Sequence, residues 1–68
     1  MNFSESTLAR FAKEVAKYPA DQKQSAVMAC LAIVQQEQGF VSAESEKAVA
    51  AYLGMPPIAV HEVTTFYN

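Results

Sequence analysis

The sequence predicts an all-α domain, a small bundle of four helices with a helix-turn-helix-like corner. Three observations predict it. Apolar residues recur at i, i+3, i+4 and i+7 in successive blocks. The 68 residues are 51% hydrophobic and include only two glycines. The helix breakers Pro19, Gly39, Gly54 and Pro56-Pro57 fall between those blocks rather than inside them. The predicted spans are about 5–17, 20–38, 43–53 and 57–67.

In the first span Leu8, Phe11, Ala12, Val15 and Tyr18 form one stripe, with Arg10, Lys13, Glu14 and Lys17 on the other side. This is a surface helix with one buried face. Ser4 or Ser6 caps its start by accepting from an unpaired backbone N–H, and Pro19 ends it by forcing Tyr18 out of helical dihedrals. Burial of Leu8, Phe11 and Val15 only roughly offsets the cost of ordering this helix, which predicts weaker amide protection here than in the second helix.

The second helix should begin near Pro19-Ala20-Asp21 and stop at Gly39, which takes the left-handed conformation. Val27, Cys30, Leu31 and Val34 make its main stripe, and Met28, Ala32 and Ile33 extend the apolar surface round it. Such a helix belongs at the centre of the bundle. Its polar end, Gln35-Gln36-Glu37-Gln38, should emerge into water.

Ser42 caps the third helix, and Glu44 and Glu46 in its first turns complement the helix dipole. Ala48, Val49, Tyr52 and Leu53 form its inner face and Gly54 its end. Pro56-Pro57 blocks continuation and presets the first turn of the fourth helix, which should carry Val60, Val63, Phe66 and Tyr67 inward. The corner between these two helices is built around Leu53, Val60 and Val63.

A net charge of −2 and a pI near 5.1 give the chain no electrostatic reason to seek phosphate backbones or anionic lipid. The longest apolar run, residues 26–34, is about half of the ~18 residues that a membrane span requires. No secretory signal or Arg-rich transit peptide opens the sequence, and the one cysteine gives no sign of an oxidising compartment. These features point to a cytoplasmic setting without membrane insertion.

Individual residues offer little chemistry of their own. Cys30 lies among Val27, Leu31 and Val34, with no cation beside it in sequence, and reads as a core residue rather than a reactive thiol or cluster ligand. A free-standing enzyme would have to use Cys30 or His61. His61 and Glu62 are adjacent on a helix and point about 100° apart, so they cannot share one metal or proton. The zinc pattern HExxH fails because Thr65 stands at its last position. No catalytic, metal or cofactor-binding set emerges.

The block from Ala48 to Val60 has the helix, glycine turn and helix of a DNA-reading motif. A recognition helix needs basic and amide side chains, however, and the fourth helix has no Lys or Arg. From Ser42 onward Lys47 is the only cation against Glu44, Glu46 and Glu62, so nucleic acid is not the expected partner.

Four pieces in fixed order carry a family likeness: Tyr18-Pro19; the apolar second helix running into Gln35-Gln36-Glu37-Gln38-Gly39-Phe40-Val41-Ser42; Tyr52-Leu53-Gly54-Met55-Pro56-Pro57; and Glu62-Val63-Thr64-Thr65-Phe66-Tyr67. Over residues 17–68 the chain resembles the N-terminal helical region of the small thioredoxin-like 2Fe-2S subunit of bacterial NADH-quinone oxidoreductase, respiratory complex I. Equivalent subunits of NAD-linked hydrogenases and formate dehydrogenases are an open alternative.

The resemblance implies that residues 1–68 are a single helical domain cut before a thioredoxin-like domain that carries the 2Fe-2S cluster on four cysteines. None of those cysteines matches a position here. It also implies a bacterial complex peripheral to the inner membrane, in which electrons pass from NADH through FMN and iron-sulfur clusters to quinone. The segment itself would be non-catalytic and would dock on the flavoprotein (FMN- and NADH-binding) subunit and on its own thioredoxin-like domain. Partly exposed residues of the fourth helix are the candidate interface: His61, Thr65, Phe66 and Tyr67.

Overall fold

The computed structural model describes residues 3–67, with the side chain of Tyr67 outside the described set. Four helices follow in order, α1 (Glu5–Val15), α2 (Lys23–Gln38), α3 (Ala43–Leu53) and α4 (Pro57–Tyr67), with no strand among the described residues.

Local chemistry fixes most of the boundaries. Ser4 and Ser42 sit in extended backbone, and their hydroxyls accept from the amides of Thr7 and Ser45, capping α1 and α3. Gly39 ends α2 at φ +84°, its amide bonded to the Gln35 carbonyl at 2.8 Å. Gly54 ends α3 at φ +68° in a Schellman arrangement, where the Met55 amide reaches the Ala50 carbonyl and the Gly54 amide that of Ala51. Pro57 then occupies the first position of α4, where a missing N–H costs nothing.

Two boundaries differ from the sequence expectation. α1 stops at Val15, two residues short of position 17, and α2 begins at Lys23 instead of position 20. Between them the chain makes a turn in which the Gln22 amide bonds back to the Pro19 carbonyl at 2.9 Å. That turn uses the residues assigned to the start of the second helix, and Gln22 enters α2 without a side-chain cap.

α2 is central, packing against each of the other three helices, and α3 and α4 also pack on each other. The core joins Phe11 of α1, Val27, Cys30, Leu31, Ile33 and Val34 of α2, Val49 and Ala50 of α3, and Val60 and Val63 of α4. α1 lies along α2 alone and reaches α3 through one ring contact, Phe11 against Tyr52 with centroids 5.3 Å apart. Phe3 meets Phe11 edge-on at 4.9 Å.

Several side chains depart from their expected places. Ala12 of the α1 stripe, Met28 of α2 and, above all, Phe66 of α4 are exposed, Phe66 to 84%. Thr64 instead points into the core beside Val60 and Val63, and its hydroxyl, donating to the Val60 carbonyl at 3.1 Å, enters the core satisfied. Tyr67, also expected inward, has its side chain outside the described residues.

Candidate docking face

The buried side of α4 is set by Val60, Val63 and Thr64. With 100° per residue, the opposite side gathers Ile58, His61, Glu62, Thr65 and Phe66, and each of these five is exposed. Ile58 is 62% exposed, which makes it, with Phe66, an uncovered large apolar side chain on this helix. Beside this face runs a shallow groove of about 230 Å³ lined by Gln24, Met55, Ala59, Glu62, Val63 and Phe66.

Three of the four sequence candidates therefore share one surface. His61 and Thr65 stand one turn apart, with Phe66 next to Thr65, while the Tyr67 side chain lies outside the described residues. Ile58 and Glu62 complete the face and were not among the candidates. Their 58, 62, 66 spacing on the side opposite Val60 and Val63 was the available signal.

Two of the polar members have their chemistry committed locally. The Thr65 hydroxyl donates to the His61 carbonyl at 3.0 Å. His61 Nδ1 donates to Glu46 Oε1 at 3.0 Å, which ties α4 to the first half of α3. The Glu46 side chain is only 11% exposed against 60% for His61, so the imidazole supplies a partner to a carboxylate that water barely reaches. A second polar cluster joins α1 to the end of α2. Glu37 accepts from the Thr7 hydroxyl at Oε1 and from Arg10 Nη1 at Oε2, the latter 2.9 Å away, and Arg10 Nη2 donates to Gln36 at 2.7 Å. Those hydrogen bonds, from Thr7 first and then Arg10, hold the Glu37 carboxyl below the ordinary glutamate range.

Cys30 is fully enclosed in the core. Burial, with the Glu14 carboxylate adding to it, pushes its thiol up to about 11, the reverse of what a nucleophile or a metal-bound thiolate requires. A 2Fe-2S cluster takes four cysteine ligands, and the chain has a single cysteine. No group of three or more His, Cys, Asp or Glu able to hold a metal occurs among the described residues. The donor set present does not fit such a cluster. Among the described residues no helix is long and apolar enough to cross a membrane.

The chain as a whole is similar in sequence to known proteins. The sequence model of the family described as thioredoxin-like 2Fe-2S ferredoxin matches residues 11–68. In the NADH-quinone oxidoreductase of Rhizobium meliloti, the subunit designated "E 1" is 40% identical over 97% of this chain and 24% of its own length. The mitochondrial NADH dehydrogenase (ubiquinone) flavoprotein 2 of Dictyostelium discoideum is 33% identical over 98% of the chain and 28% of its own length. Subunit 2 of the NADH-quinone oxidoreductase of Thermus thermophilus is 38% identical over 78% of the chain and 29% of its own length. The chain thus spans between 24% and 29% of the length of these relatives.

Proposed function

Since the chain belongs to the thioredoxin-like 2Fe-2S ferredoxin family, we propose that it is the helical docking segment of the 2Fe-2S subunit of an NADH-quinone oxidoreductase. The parent subunit serves electron transfer from NADH, through FMN and iron-sulfur clusters, to quinone. This segment contributes assembly, and the cluster is carried by the subunit's thioredoxin-like domain. The complex is bacterial and the subunit sits on its cytoplasmic, peripheral side.

The observation that carries the docking role is the outer face of α4. Ile58 and Phe66 remain uncovered while Val60 and Val63 of the same helix are buried, and exposed apolar side chains grouped with a few polar ones are what a contact surface needs. In this reading the face bears on the flavoprotein subunit and on the subunit's own thioredoxin-like domain, with His61, Thr65, Phe66 and Tyr67 at the contact. The helix-turn-helix geometry of α3 and α4 supplies packing alone, because the outer face of α4 has no cation for phosphate.

A pull-down by the flavoprotein subunit, using the 2Fe-2S subunit with and without these residues, tests the proposal. Reduced recovery without them is the expected result, and equal recovery of the two forms would count against a docking role.

A further inference from the structure

We infer that α1 is a strap that opens and closes as a unit about the link at residues 16–22, while α2, α3 and α4 stay folded. The inference starts from how unevenly the helices are held. α2, α3 and α4 each pack on the other two, whereas α1 lies along α2 and meets α3 through the Phe11–Tyr52 ring contact. Lifting α1 breaks none of the contacts within the remaining three helices.

The grip on α1 is correspondingly narrow. One fully buried side chain, Phe11, enters the core, with Leu8 and Val15 packed at its margin. The other hold is polar: Thr7 and Arg10 both converge on Glu37, so a single carboxylate latches two successive turns of α1 to the end of α2. The link also has the makings of a hinge. α1 ends in a turn at Ala16 and Lys17, Pro19 follows, and the residues from Pro19 to Lys23 are all exposed. Segments with few buried contacts open locally at a lower free energy than the global fold.

Cys30 provides the readout. It is the chain's single cysteine, it is fully buried with Phe11 in the core cluster, and it lies within electrostatic reach of Glu14 on α1. Raising α1 withdraws Phe11 from the cluster that encloses Cys30 and so opens a path to the thiol. Labelling of Cys30 by dithionitrobenzoate across a urea series distinguishes strap opening from unfolding. The expected result is a labelling rate that is nearly flat at low urea and rises steeply only near the unfolding midpoint.

The variant Glu37→Gln should raise the flat rate by about fivefold, the scale of one partly exposed ion pair, while leaving the steep limb in place. Thr7→Val should raise it by less. Amide exchange provides the second measurement, with the amides of α1 exchanging together and faster than those of α2. A labelling rate that climbs from zero urea with the full slope of global unfolding, in the chain and in Glu37→Gln alike, would overturn the inference. So would equal protection of α1 and α2.

Discussion

His61 donates from Nδ1 to Glu46 Oε1 across 3.0 Å and thereby joins the exposed side of α4 to an almost enclosed carboxylate on α3. Residues 15 apart in sequence are held on one surface by this bond, which helps to fix the angle between the two helices. His61→Ala should cost about 1 kcal/mol, a value set by loss of one hydrogen bond to a carboxylate and reduced by the exposure of the ring. Urea denaturation of the two proteins checks this, and equal midpoints would mean that the bond is structurally idle.

Phe11 is the α1 side chain that fills the core between α2 and Tyr52. Phe11→Ala should cost about 3 kcal/mol and should remove the helical circular dichroism of α1 before that of the other helices. A single cooperative loss of all helical signal at an unchanged midpoint would contradict this.

Glu37 sets a pH dependence whose sign can be worked out. Its carboxyl in the folded chain lies below the ordinary value of 4.5, held there by Thr7 and Arg10. A depressed folded value contributes stability that is present above the unfolded value and is lost as pH falls through the folded one. Stability should therefore decline below about pH 4.5, and Glu37→Gln should flatten that part of the profile. Thermal midpoints taken across the acid range make the comparison, and parallel profiles would refute it.

Gly54 adopts φ +68° with nothing within 4 Å of where a Cβ would stand. Substitution there meets backbone strain and no steric neighbour. Gly54→Ala should cost about 1 kcal/mol and Gly54→Asn less, because asparagine enters the left-handed region more readily. Thermal melts should rank the three proteins glycine, asparagine, alanine.

Phe66 separates docking from folding. At 84% exposure, Phe66→Asp should leave stability within about 0.5 kcal/mol while reducing recovery of the 2Fe-2S subunit by the flavoprotein subunit. A loss of stability without a loss of recovery would reverse the assignment of this residue.

Features decided within one turn of the chain were legible in the sequence. Ser4, Ser42, Gly39, Gly54 and Pro57 act on neighbouring backbone groups, and each stands where its chemistry places it. The start of α2 was not legible, since a Pro19–Gln22 turn and a helix beginning at Pro19 use the same residues. On α4 the reading by residue type failed at Phe66. Thr64, polar by type, has the angular position that belongs in the core and satisfies its hydroxyl on Val60.

Glu46 and Glu37 look like solvent-facing acids in the sequence because their partners lie far along the chain, at His61, Thr7 and Arg10. Only the packing of the helices reveals them. The outer face of α4 was legible only in part: the sequence singled out His61 and Thr65 there and named Phe66 as a contact candidate while also expecting it inward, and Ile58 needed the direction of the buried stripe before its exposure could be seen.

The central place of α2 also bears on synthesis. α1 leaves the ribosome before α2, so the platform it lies on is not complete until Gln38 has been added. An isolated segment of 11 residues is too short to persist as a helix in water. The nascent α1 segment therefore waits unstructured, and its aromatic residue stays open to chaperones until the following helix appears.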